Sequence, residues 1–118
     1  MTATVEIYML LFRFTPDFQS RPTEEELLQM HQQWGSFIGN LAITEKLVST
    51  HRLSFEGKTV QTDKSVNDTI GTNNGALVSG NMIVKANSLD EAVQIAKGSP
   101  ILNMGGTVEV RKIEPMNN

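Results

Sequence analysis

From Thr4 to Phe14 apolar side chains occupy both parities of the chain, with Val5, Ile7, Met9 and Leu11 on one and Tyr8, Leu10, Phe12 and Phe14 on the other. Successive side chains of a strand point to opposite faces, so this segment predicts a strand with apolar cover on both sides. Pro16 and Pro22 bracket a loop, and Thr23-Glu24-Glu25-Glu26 follows as a capping box. The Thr23 hydroxyl and the Glu26 carboxylate can each satisfy an orphan amide of a first helical turn. Leu27, Met30, His31, Trp34, Phe37, Ile38 and Leu41 then recur at helical spacing, while Gln29, Gln32, Gln33, Ser36 and Asn40 take most of the other side. An amphipathic helix reaching about Thr44 is expected.

Leu47 to Phe55 alternates as a second strand, with Leu47, Ser49, His51, Leu53 and Phe55 on one face and Val48, Thr50, Arg52 and Ser54 on the other. A short extended piece, Lys58 to Gln61, follows Gly57, and Thr62 to Gly75 is rich in Asp, Asn, Ser, Thr and Gly, which is loop chemistry. Asn81 to Ala86 predicts a third core strand. Ser88-Leu89-Asp90-Glu91 repeats the capping logic for a short helix faced by Leu89, Ala92, Val93 and Ala96 and ended by Gly98 and Pro100. Thr107 to Ile113 alternates into a last strand. Strand, helix, strand, strand, helix, strand is the ferredoxin-like βαββαβ order, an α+β sandwich with two helices on one face of an antiparallel sheet.

Two helices cover one face only, yet the first strand is apolar on both. A bare apolar face of several hundred Å² is unusual for a monomer. The expected cover is a second copy packed sheet to sheet across a two-fold axis, a dimeric α+β barrel, and the protein is read as a homodimer.

Composition narrows the function classes. The 118 residues suit a single domain spanning positions 1–118, and the 39% hydrophobic share, to which nine glycines add, is that of a soluble globular chain. Ten Lys and Arg against 13 Asp and Glu give a net charge of −3, so no basic excess draws the protein to nucleic acid. With no cysteine there is no disulfide, thiolate metal site or cysteine nucleophile. Ile7 to Phe12 is far shorter than the roughly 20 residues a membrane helix needs, and no secretory pattern precedes it. No membrane association is expected, and the reading is of a cytoplasmic protein.

Cofactor motifs fail one by one. Gly57-Lys58-Thr59 resembles the end of a phosphate-binding loop, but the glycine required five positions earlier is Arg52. Gly71-Thr72-Asn73-Asn74-Gly75 lacks the spacing of a dinucleotide fingerprint. Two distant histidines without cysteine give no metal site, and no cofactor is expected. His31 is the residue that stands out, because it interrupts the apolar stripe of the first helix one turn from Leu27 and Trp34. Two readings apply: a core histidine tied to a backbone carbonyl, or a cleft residue paired with a carboxylate and acting as a general base near neutral pH. Asp63 and Asp68 are the candidate carboxylates. Arg13 and Arg52 lie where a guanidinium can grip a ligand carboxylate, with ion pairing or solvation as the alternative. Trp34 is read as core and as a wall of a cleft between the first helix and the sheet.

Tyr8-Met9-Leu10-Leu11-Phe12-Arg13, Trp34 to Leu41 with Lys46-Leu47-Val48, His51-Arg52-Leu53, Gly57-Lys58-Thr59-Val60, and above all Ser88-Leu89-Asp90-Glu91-Ala92, Ala96-Lys97-Gly98-Ser99-Pro100 and Val108-Glu109-Val110-Arg111 resemble the YCII-related domain family in its DGPF-containing branch. The resemblance implies a dimeric α+β barrel and a histidine–aspartate active site, matched here by His31 and Asp63, with no general reaction attached. The DGPF turn is degenerate: Lys64, Ser65 and Val66 stand where Gly, Pro and Phe would follow Asp63, Asn67 to Gly75 lengthens the loop, and Ser99 replaces a cysteine often seen before Pro100. The expected function is small-molecule binding, as an enzyme using a His–carboxylate pair for proton transfer, hydrolysis or elimination on a small organic acid. The alternative is a non-catalytic dimeric binding or regulatory module.

Overall fold

The computed structural model describes residues 5–16, 22–72 and 75–114. Its elements in chain order are β1 (Glu6–Phe14), α1 (Glu24–Ile43), β2 (Leu47–Arg52), β3 (Thr59–Val60), β4 (Val66–Asn67), β5 (Leu77–Ala86), α2 (Leu89–Ala96), a 3₁₀ turn (Pro100–Met104) and β6 (Thr107–Lys112). Four strands form one antiparallel sheet in the order β2-β5-β1-β6, with α1 and α2 on one face, which is the ferredoxin-like α+β architecture expected from the sequence. No helix among the described residues is long and apolar enough to cross a membrane.

The core lies between sheet and helices. Tyr8, Leu10 and Phe12 of β1 and Met82, Val84 and Ala86 of β5 point to the helices, where Leu41, Ala92, Ala96 and Ile101 close over them. Each large side chain so buried contributes about 1.5–3 kcal/mol. The small Ala92 and Ala96 let α2 settle close to β5 and β6. α1 carries the bulkier Trp34, Phe37 and Ile38 on its inner side; its backbone approaches β2 and the 3₁₀ turn, but neither β1 nor β5. Both helix starts are capped as the sequence indicates. Glu26 N–H donates to the Thr23 hydroxyl at 3.1 Å and Thr23 N–H to the Glu26 carboxylate at 3.2 Å, while Glu91 N–H donates to the Ser88 hydroxyl at 3.1 Å.

Simple alternation fails at two bulges. Along β2, Leu47 faces Val84 and Ser49 faces Ile83, so Val48 is an extra residue. Leu47 therefore shares the helix side with Thr50 and Arg52, while Ser49 and His51 take the open side. β5 begins at Leu77, four residues earlier than the alternation suggests. Its pairing with β1 slips between Phe12, opposite Gly80, and Arg13, opposite Val78, which leaves Ser79 as the inserted residue. Gly80 is required there, because a Cβ would stand 2.5 Å from the His51 carbonyl oxygen.

The segment expected to be irregular contains a hairpin. Thr59 pairs with Asn67 and Val60 with Val66, around a turn in which Gln61 N–H donates to the Ser65 carbonyl at 2.7 Å. One Asp63 carboxylate oxygen accepts from the Ser65 N–H at 2.9 Å and from its hydroxyl at 2.6 Å. Lys64, where the DGPF pattern has glycine, takes a left-handed φ of 73°.

Two outcomes are expected. Gly80→Ala lowers stability by about 1–3 kcal/mol, because β2 must shift away from the new Cβ. Gly35→Ala, at an exposed position of α1 where a Cβ meets nothing within 4 Å, raises it by up to about 1 kcal/mol, both read by urea denaturation. The Ser65 hydroxyl and then its N–H hold the Asp63 carboxyl below the usual aspartate value. A carboxyl depressed on folding contributes stability that is present above its unfolded pKa and is lost as pH falls through the folded one. NMR titration should therefore give an Asp63 midpoint below that of an unstructured peptide, moving upward in Ser65→Ala.

Candidate functional site

Because α1 stands off the central strands, a cavity of about 360 Å³ opens between it and the sheet. Its floor is Phe12, Thr50, Ser79 and Gly80; Leu27, Met30, His31, Trp34 and Ile38 of α1 form the roof, and Ile101 and Met104 close one end. The bulge explains the floor: Gly80 has no side chain, and its neighbours Ser79 and Thr50 are small. The aromatic side chains hold the roof up. Phe12 meets Trp34 edge to face at 5.3 Å and 79°, and Trp34 meets Phe37 at 6.1 Å and 73°. Phe14, also in the lining, packs on Phe55 at 6.0 Å.

The polar groups of the lining divide into two sets. Thr50 donates its hydroxyl proton to the Asn81 carbonyl at 3.1 Å and Ser79 donates to the Phe12 carbonyl at 3.3 Å, while His51 borders the cavity with its main chain and has its Nδ1 3.1 Å from the Asn81 side-chain oxygen on the other face of the sheet. His31 and Arg52 have no hydrogen-bond or ion-pair partner among the described residues, and no carboxylate lines the cavity. Arg13 and Arg111, by contrast, both contact Glu109, at 2.8 and 3.6 Å. The cavity thus offers an imidazole and a guanidinium cation, neither with a partner among the described residues, on an apolar body.

His31, Trp34 and Arg52, singled out from the sequence, meet in this one cavity. His31 is exposed, which corrects its reading as a core histidine. The N-terminal half of α1 overhangs the cavity without packing on the sheet, and for the same reason Leu27 and Leu28 are 40% and 58% exposed. Arg13 lies on the opposite face of the sheet, held by Glu109. Asp63 and Asp68 belong to the β3–β4 hairpin and do not line the cavity; Asp63 is engaged by Ser65, and Asp68 lies 3.2 Å from the Lys58 ammonium. Sequence reasoning missed Ser79 and Gly80 as the floor. A glycine within a run of strand formers was the available signal.

The sheet face away from the helices carries Ile7, Met9, Leu11 and Ile83, all half-buried, with the Arg13–Glu109 pair and the His51–Asn81 pair at its margins. No group of three or more metal-ligating side chains occurs among the described residues.

The sequence pattern of the YCII-related domain family matches residues 7–117, from the second residue of β1 to beyond the end of β6. A comparison with curated proteins gives no match. Since the match spans nearly the whole chain and the fold agrees with it, this protein belongs to the YCII-related domain family.

Proposed function

We propose that this protein binds a small organic acid in the cavity beneath α1, with Arg52 as the anion anchor and His31 as the group that takes or gives a proton. The observation that carries the reading is an apolar cavity lined by a guanidinium and an imidazole that have no partner, and by no acidic side chain, among the described residues. A guanidinium with no resident acid is free to bind a carboxylate bidentately. An imidazole lining the same cavity suits proton transfer, or the proton-transfer step of a hydrolysis or elimination. Asp63, occupied by Ser65 in the hairpin turn, serves the turn, and the carboxylate that His31 meets is the ligand's own.

The same reading takes the protein as a homodimer. Ile7, Met9, Leu11 and Ile83 form a continuous apolar stripe on the open sheet face, and a second copy packed sheet to sheet covers it without obstructing the cavity on the other side. One observation favours the second reading, a module that binds without turnover: His31 lacks the orienting carboxylate that histidine bases ordinarily use.

Thermal unfolding with a panel of small carboxylates tests the site. Wild type should be stabilised by at least one of them, and Arg52→Gln should lose about tenfold or more in affinity, as expected for a hydrogen-bonded charge worth about 1.5–3 kcal/mol. Proton transfer to and from carbon shows as solvent deuterium entering a C–H position of the bound acid, and His31→Ala should abolish it while retaining binding; binding with no such exchange in wild type supports the module. Sedimentation equilibrium should give twice the 13.0 kDa chain mass, and Leu11→Asp should halve it. A monomeric wild type would remove the dimer from the reading.

A further inference from the structure

We infer that the acid taken by this cavity is a monocarboxylate with a compact apolar body about one ring in size, seated body-inward with its carboxylate on Arg52. The inference rests on the reading of the cavity as an acid-binding site and adds to it the class of ligand.

Three observations lead there. The inner wall is Phe12, Trp34, Ile38 and Ile101, flanked by the thioethers of Met30 and Met104. The hydroxyl protons that reach it, those of Thr50 and Ser79, are already given to main-chain carbonyls. A second carboxylate, a phosphate or a sugar hydroxyl set against that inner wall would therefore lose water and find no free hydroxyl donor there, which disfavours dicarboxylates, nucleotides and sugars as ligands. Next, among the described residues the lining holds one fixed cation, Arg52, which balances one negative charge. Finally, a volume of about 360 Å³ is near the lower end of the 300–1,000 Å³ usual for ligand sites. The perpendicular rings of Phe12 and Trp34 make a corner in which a ring can lie edge-on to one and offset on the other, and flexible methionines adjust to its outline.

Trp34 is the only tryptophan of the chain, so its fluorescence reports from inside the cavity. Calorimetry would rank phenylacetate, succinate and 2-phenylethanol on the full chain, with Trp34 emission locating each. Phenylacetate should bind at least tenfold more tightly than either of the others and change Trp34 emission. Arg52→Gln should weaken phenylacetate at least tenfold and leave 2-phenylethanol unchanged, with Arg52→Lys falling between. Arg52 is exposed and its side chain has no partner among the described residues, so circular dichroism of both variants should match wild type. Succinate binding as tightly as phenylacetate, with the same dependence on Arg52, would overturn the ligand class and keep the acid site. Equal affinity for 2-phenylethanol and phenylacetate would overturn the carboxylate anchor. If none of the three binds, both the ligand class and the acid site fall.

Discussion

What lies beneath α1 depends on how β5 pairs with its two neighbours. β5 is hydrogen-bonded to β1 on one side and β2 on the other, and the residue inserted at Ser79 lets Phe12 and Arg13 keep their places while the partner strand bends. The main chain of β2 then passes so near Gly80 that no side chain fits. A gap under the helix follows directly, because the floor at that point is backbone, and its neighbours are a serine and a threonine. Further along the same strand, past Gly80, Met82 and Val84 are fully buried and leave no space. The fold therefore packs tightly at one end of the sheet and opens at the other, and Arg52, opposite Gly80, sits at the junction.

Polar chemistry is distributed in keeping with that division. At the closed end, the buried Tyr8 donates its hydroxyl proton to Glu6 at 2.9 Å, and Lys112 approaches the other Glu6 oxygen at 3.2 Å. The Tyr8 bond and then Lys112 hold the Glu6 carboxyl below its usual value, while burial and the Glu6 charge push the Tyr8 phenol up. On the open face Glu109 serves two arginines. Against this background of paired groups His31 and Arg52, without a partner among the described residues, are informative, since each lines a mainly apolar cavity where a ligand's charge is less screened than in water.

Much of the architecture was legible because its signals are local. A capping box, a stripe at helical spacing and a strand apolar at both parities need no knowledge of neighbours, and all three appear where the sequence puts them. The failures share a cause. Inserting one residue reverses every later side chain, so the extra Val48 moved Leu47 to the face opposite the one its alternation with Ser49 and His51 implies. Ser79 and Gly80 lie within β5, although the strand expected from the sequence begins only at Asn81. His31 obeyed the helical spacing yet is exposed, because spacing gives a direction and not whether the sheet lies close beneath. Asp63 was nominated by its place in the chain, and the turn of the hairpin, a matter of long-range pairing between Val60 and Val66, gave it other work.

The central claim is that ligand enters the space made by the bulged pairing of β1 and β5, under α1 and not against the open sheet. Methionines mark both places: Met30 and Met104 line the cavity, while Met9 lies on the opposite face of the sheet. Methyl NMR of methionine-labelled protein, titrated with phenylacetate, should move the Met30 and Met104 resonances and leave Met9 in place. Movement of Met9 with Met30 and Met104 unchanged would put the ligand on the other face and contradict the account.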